Sequence, residues 1–249
     1  MVGKGKVYLI GAGPGDPELL TLKALKSLKN SDVILYDALI DYRLIDELKK
    51  LGKKMIYVGK RSWDDGKKRQ EYINSLLKEL TDQGLTVARL KGGDPLIFGR
   101  GCIEIEFLEK ENIPYEVIPG VSSINGVPSS CGIPLTHPEL SSSILVVSGR
   151  ADVMRWCKAP LEGTIVVLMG RDTIDEIAKG LIDLGRDKKT PVVAIENGTL
   201  PNQRIIVGTL SDIGEKVKRA NVKGPLLIVI GEVVEKFCKK VIANAVRTE

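Results

Sequence analysis

Residues 7–17, VYLIGAGPGDP, constrain this chain more than any other stretch. A short apolar run, Val7 to Ile10, stops abruptly at Gly11-Ala12-Gly13-Pro14-Gly15-Asp16-Pro17, and an apolar-periodic segment from Leu19 to Leu28 follows at once. A brief apolar run bounded by glycine reads as a buried parallel strand. Asp16 and Pro17 mark a helix start, because Asp caps free amides and Pro has none to leave unpaired. Gly11, Gly13 and Gly15 permit positive φ and let a ligand approach the backbone with no Cβ in the way. The match to a dinucleotide fingerprint is poor. G-x-G-x-x-G requires glycine where Asp16 stands, and that carboxylate would repel a pyrophosphate, while Pro14 lacks an amide to bind one. Two readings of the loop stay open: an ordinary strand-to-helix turn, or a binding loop for something other than a pyrophosphate.

The text alternates from there to about residue 118. Strands are expected at 7–10, 32–36, 54–58, 85–90 and 115–118, with helices over 19–29, 41–51, 67–82 and 101–110. Tyr72, Ile73, Leu76, Leu77 and Leu80 have the spacing of one helix face. Strands joined by crossover helices imply a parallel sheet with ligands at the carboxyl ends of its strands. Those ends carry the unusual residues of this half: GAGPGDP, then Tyr36-Asp37-Ala38, then Gly59-Lys60-Arg61, then Lys91-Gly92-Gly93-Asp94-Pro95.

Pro119-Gly120 breaks the alternation, so a boundary is expected there, with domains 1–118 and 119–249. Beyond it, 121–131 reads as helical or irregular. Strands are expected at 144–148, 164–169, 191–195, 204–207 and 226–230, with helices over 173–184, 209–219 and 233–246. The link 196–203 is short enough for a hairpin, which makes this second sheet mixed. The fold class is therefore α/β, with an N-terminal parallel sheet and a C-terminal mixed sheet.

Composition excludes several classes of function. A net charge of +5 without a long basic run or an aromatic-studded basic strip argues against nucleic acid. With one histidine, His137, and four scattered cysteines (Cys102, Cys131, Cys157 and Cys238), there is little material for a zinc site or a Ser-His-Asp triad, so no metal is expected. The cysteines read as free thiols in a reducing cytoplasm. No apolar run approaches a membrane span, and a strand beginning at residue 7 leaves no room for a signal peptide.

Taken together, the motifs resemble the tetrapyrrole methylase family, most closely its branch acting on uroporphyrinogen III. The blocks are GAGPGDPELLTLKAL, VILYDALI, GKR at 59–61 with QEYIN at 70–74, and RLKGGDP through FGRG at 89–101. They continue with PGVSS at 119–123, GIPLTH at 132–137, VVLMG at 166–170, ENGT at 196–199 with Gln203, and GPLLIVIGEVV at 224–234. The resemblance runs over about 6–235. It implies two α/β domains with S-adenosylmethionine held in a cleft between them, a homodimer, and methylation of uroporphyrinogen III at two ring carbons to give precorrin-2, for sirohaem or cobalamin.

Carried over by motif, the methyl donor's site takes Pro14, Gly92, Gly93, Asp94, Ile97, Ser122, Ser123, Met169 and Gly198. Asp37 and Lys60 match the family's acid–base positions. Arg61, Lys91 and Arg100 are the cations expected to meet the carboxylates of the substrate. Simpler roles stand beside these: Asp94 as a cap before Pro95, Met169 as core packing, Asp37 as a cap for the helix near Asp41, Lys60 as a solvated cation, and Arg100 as part of the fold. His137 reads as a hydrogen-bonded loop residue. The chain departs from the family pattern at Cys102-Ile103, Ser130, Pro138 and Arg150, which bears on the choice of acceptor and not on the donor. A methyltransferase for a later cobalt-precorrin or for protein diphthine, an NAD-dependent oxidoreductase and a non-enzymatic tetrapyrrole carrier are the competing readings. Asp16 and Pro14 oppose the oxidoreductase, and intact Asp37 and Lys60 oppose the carrier.

Overall fold

The computed structural model describes residues 5–59, 66–151 and 162–245, and the chain forms two compact units, Met1–Ser122 and Ser123–Glu249. In the first unit β1 (Val7–Gly11), β2 (Val33–Tyr36), β3 (Lys54–Tyr57), β4 (Val87–Lys91) and β5 (Tyr115–Ile118) form a sheet ordered β3-β2-β4-β1-β5. Every pairing in it is parallel. Helices α1 (Leu22–Lys29), α2 (Tyr42–Lys49), α3 (Gly66–Asp82) and α4 (Gly101–Lys110) fill the crossovers. The near-continuous apolar strands produce this: successive side chains feed the two faces in turn. Val7, Leu9, Val87, Leu77 and Leu108 pack on the α3/α4 side. Ile10, Ala88, Leu90, Leu28 and Leu48 pack on the α1/α2 side.

The expected helix over 19–29 is in fact two pieces. Asp16 caps a single 3-10 turn, Pro17–Leu19, by accepting from the Glu18 amide. Leu20 is extended, and Thr21 then caps α1 by accepting from the Ala24 amide at 3.1 Å. Two capping residues so close together give two helical starts, and the second carries the longer one.

The second unit begins with α5 (Ser123–Ser130), a regular helix despite Pro128, where sequence left the choice open. Strands β6 (Ile144–Ser148), β7 (Thr164–Leu168), β8 (Pro191–Glu196), β9 (Arg204–Thr209) and β10 (Leu226–Ile230) form a sheet ordered β6-β7-β10-β8-β9. It is mixed, as expected: β6 and β7 are parallel, and the β8–β9 hairpin and both β10 pairings are antiparallel. Helices α6 (Ile174–Asp183) and α7 (Ile213–Arg219) cover one face through Ile177, Leu181, Ile213 and Val217. The other face is packed by α5 and α8 (Glu232–Ala245) through Val127, Cys131, Val233 and Val234. The helix expected from 209 starts at Ile213, because β9 runs on to Thr209 and the Asp212 carboxylate accepts from the Thr209 amide at 2.7 Å, holding that corner extended.

In the first unit three backbones meet at one corner. An added Cβ at Gly11 would lie 2.5 Å from the Gly120 nitrogen and 2.6 Å from the Gly93 oxygen. Neither atom can rotate away, so Gly11→Ala should destabilise the protein by about 1–3 kcal/mol, the usual cost of overpacking. A guanidinium unfolding midpoint equal to that of the parent would show that the corner yields.

Candidate functional site

The topology of the first unit singles out one place. From β1 the chain crosses towards β2 on the α1/α2 face; from β4 it crosses the other way, towards β5, on the α3/α4 face. The two strands are neighbours, so their carboxyl ends open a crevice at a topological switch point. Both glycine motifs lie there. The Gly93 amide donates to the Gly13 carbonyl at 2.7 Å, the Gly13 amide donates back at 3.3 Å, and the Ala12 amide donates to the Lys91 carbonyl at 2.8 Å. GAGPGDP and GGDP are thus one continuous backbone surface. Asp94 ties it to the next corner: one carboxylate oxygen accepts from the Leu96 amide at 2.9 Å and the other from the Gly120 amide at 3.2 Å.

Beside this surface lies a buried ionic cluster. Arg89 and Lys91 project from the same face of β4, 3% and 4% exposed, towards Glu104 of α4, which is fully buried. Glu104 Oε1 accepts from Lys91 Nζ at 2.9 Å, Arg89 Nε at 3.2 Å and Gln70 Nε2 at 3.3 Å. Burial opposes ionisation of Glu104, but the charges of Arg89 and Lys91 outweigh it and hold the carboxyl below the usual range. Burial, aided by Arg89, pushes the Lys91 ammonium below its ordinary value despite Glu104. Arg89 Nη1 donates to the Leu90 carbonyl at 3.0 Å, and Nη2 reaches Asp37 Oδ2 at 3.4 Å. Asp37, just past β2, has a side chain 24% exposed, and its Oδ1 accepts from the Leu39 amide at 3.1 Å. Asp37 does not cap α2. Asp41 does, by accepting from the Arg43 amide.

Backbone strain marks the same motifs. Apart from asparagines, which tolerate the left-handed region, four non-glycine residues among those described have positive φ: Phe98, Arg100, Met169 and Thr199. All four lie in motif blocks. Phe98 and Arg100 (φ 49° and 57°) lead into α4, and the Arg100 Nη1 donates to the Gly66 carbonyl at 3.2 Å. Leu96, Ile97 and Phe98 there are exposed apolar side chains. In the second unit Met169 (φ 57°) follows β7 and is exposed, so it is not core packing. Thr199 (φ 69°) sits in the β8–β9 loop, where its amide donates to Gln203 Oε1 at 2.8 Å.

That loop is anchored from below. Glu196 ends β8, is 2% exposed, and accepts from the Lys223 and Gly224 amides at 2.8 and 2.7 Å and from Arg204 Nε at 2.6 Å. Gly198 is packed rather than open, since an added Cβ would come within 2.3 Å of Val127 in α5. His137 is a bonded loop residue: its Nδ1 accepts from the Glu139 amide at 3.1 Å and its Nε2 lies 2.9 Å from Lys236 Nζ. Ser130 donates to the Val127 carbonyl at 2.7 Å, and Cys102, Cys131 and Cys238 are free thiols.

In the first unit the structure brings Pro14, Asp37, Lys91, Gly92, Gly93, Asp94, Ile97 and Arg100 to the carboxyl edge of the sheet and its following loops, with Ser122 closing the unit. Ser123, Met169 and Gly198 belong to the second. Lys60, Arg61 and Cys157 lie outside the described residues. Sequence reasoning missed Arg89 and Glu104. The signal was there: two basic residues two apart on a strand flanked by apolar positions, and an acid four residues before Leu108 on the inner face of α4.

Residues 6–214 match the family described as tetrapyrrole (corrin/porphyrin) methylases, and the chain belongs to that family. It is 49% identical over 236 residues to a uroporphyrinogen-III C-methyltransferase of Methanocaldococcus jannaschii, covering 92% of this chain and 97% of that one. It is 42% identical over 235 residues to a siroheme synthase of Saccharophagus degradans, spanning 92% of this chain but only 51% of that one. Among solved structures it is similar to a Thermus thermophilus uroporphyrin-III C-methyl transferase complexed with S-adenyl homocysteine, with a TM-score of 0.79 and 40% identity over 94% of this chain and all of that one.

Glu196 gives a pH signature. Burial opposes its charge, but the Gly224 and Lys223 amides and Arg204 hold its carboxyl below the ordinary value of 4.5. A depressed folded value means a stabilising contribution that is complete above the unfolded value and lost as pH falls through the folded one. Thermal melts from neutral pH down through the carboxylate range should show Glu196→Gln with a flatter decline than the parent. Parallel curves would remove Glu196 from the acid response.

Proposed function

We propose that this chain is an S-adenosylmethionine-dependent methyltransferase that converts uroporphyrinogen III to precorrin-2 by methylating two ring carbons, in the cytoplasm, as a homodimer and without a metal. The observation that carries the reading is the joining of the GAGPGDP and GGDP turns at the switch point, beside a carboxylate held by a buried arginine. The similarity to uroporphyrinogen-III C-methyltransferases, one of them solved with S-adenyl homocysteine, supports it.

The residues present fit such a donor. The Gly13–Gly93 surface offers close backbone approach, and Asp94 keeps free lone pairs for a hydroxyl while its bonds to Leu96 and Gly120 hold it still. Pro14, Gly92, Gly93, Asp94, Ile97 and Ser122 supply the first unit's recognition of the donor. When bound, the donor supplies an electrophilic methyl group, and an electron-rich reduced tetrapyrrole needs no activation to attack it. The chain's task is then orientation, worth up to roughly 7–11 kcal/mol in favourable cases, and exclusion of water, for which the exposed Leu39, Leu96, Ile97 and Phe98 provide apolar cover. Asp37, beside Arg89 and partly exposed, accepts the proton the ring must lose, with Lys60 as its acid–base partner. Arg61 and Arg100 meet substrate carboxylates through forked donors. Lys91, expected to meet substrate carboxylates as well, is instead 4% exposed with its ammonium on Glu104, so its charge is spent inside the protein.

The test is anaerobic incubation with labelled S-adenosylmethionine and enzymatically generated uroporphyrinogen III. Two added methyl groups in the product mass are expected; no transfer, with S-adenosylhomocysteine still binding, would move the search to another acceptor. Asp37→Ala should lower turnover at least about tenfold, a positioned general base typically contributing about 100- to 10,000-fold, with S-adenosylhomocysteine affinity unchanged in calorimetry. An unaltered rate would remove Asp37 from the mechanism.

A further inference from the structure

In the function proposed above Arg89 enters only as the neighbour of Asp37, and Lys91 and Glu104 have no part in the chemistry. They are, however, an odd thing for a central strand to hold. On the same face of β4, Val87 is fully buried in the core, so the next positions inward are ones an apolar residue would fill. Buried ionic groups seldom improve stability over well-packed apolar ones, because desolvation offsets their attraction. This cluster is not optimised for stability either. Among the described residues Glu104 Oε2 is buried without a hydrogen-bond partner, while Oε1 takes three donors. Orphaned buried acceptors of that kind call for an explanation.

The directions of the bonds supply one. Arg89 commits Nε to Glu104 and Nη1 to the Leu90 carbonyl, which fixes the plane of the guanidinium and leaves Nη2 aimed at Asp37. The charges agree with the geometry. The groups facing one another are Arg89 and Lys91 from β4, Glu104 from α4, neutral Gln70 from α3 and Asp37 from the loop after β2. Two cations against one fully buried anion leave an excess positive charge, and Asp37 is the group that balances it. We infer that Glu104 is a positioning residue: acting through Arg89, it orients the Asp37 carboxylate at the sheet edge. Without Glu104, Arg89 and Lys91 would both turn to Asp37 as their nearest anion, and a carboxylate gripped by two cations is a poorer proton acceptor. This inference rests on the reading of Asp37 as the base.

Labelled-donor turnover of four proteins tests it: parent, Glu104→Gln, Asp37→Asn and the double variant. Glu104→Gln keeps the shape and removes the charge. It should lower kcat about tenfold with the KM for S-adenosylmethionine within about twofold, the pattern of an interaction made in the chemical step. On the Asp37→Asn background the same change should cost less than about twofold, because contacts acting through one another are not additive. Losses that multiply, or Glu104→Gln at the parent rate while Asp37→Asn is slow, would overturn the positioning role and leave Asp37 in place. Asp37→Asn at the parent rate would overturn the base and Glu104's role together. Should Glu104→Gln fail to fold, Arg89→Lys keeps the charge and loses the fork. It should show the same loss and the same non-additivity with Asp37→Asn, and a parent-like rate from it would overturn the inference.

Discussion

The first unit depends on β1 and β4 lying side by side while their crossovers leave in opposite directions. That single fact of topology opens the sheet at one point and brings two glycine turns, distant in sequence, within mutual hydrogen-bonding distance. Everything at the carboxyl edge follows from it. The Gly13–Gly93 exchange sets the height of both turns, Asp94 hands that height on to Gly120, and the tight approach of Gly11, Gly93 and Gly120 leaves no room for a side chain. Glycine is required at that corner because backbone packs directly on backbone.

Below that edge the protein tolerates an arrangement that stability alone would not favour. Breaking a buried ion pair by removing one partner costs about 3–5 kcal/mol, whereas replacing the whole set with apolar side chains is often neutral. The cluster of Arg89, Lys91 and Glu104 therefore ties β4 to α4 only while all its members are present. It also places fixed charge beside the carboxyl edge that carries the two glycine turns. The second unit uses a different device. Glu196, also buried, is satisfied by two backbone amides and an arginine, and it braces a loop from its base without an orphaned oxygen.

Much of this was legible in the residues. Short continuous apolar runs such as Val33–Tyr36 and Leu226–Ile230 gave strands within a residue or two, because burial on two faces leaves few alternatives. The short link 196–203 gave the antiparallel hairpin and hence the mixed sheet. The motif blocks gave the family. Local capping competition was harder: Thr21 and Asp212 each shift a helix start through a hydrogen bond that periodicity does not register. Partnering was hardest. Lys91 reads as a surface cation until α4 is folded against β4, and only then does Glu104 claim it; Asp37 likewise meets Arg89 across two strands, 52 residues apart.

The left-handed residues at Phe98, Arg100, Met169 and Thr199 carry an implication for engineering. A side chain held in that region stores about 1–3 kcal/mol of strain, and glycine or asparagine at the same position would release part of it. A library screened only for heat resistance would therefore be enriched in replacements at these four positions. Each gain there would be taken from a loop whose shape the motifs preserve, so survival on heating and turnover would separate soonest at the residues where the backbone is least at ease.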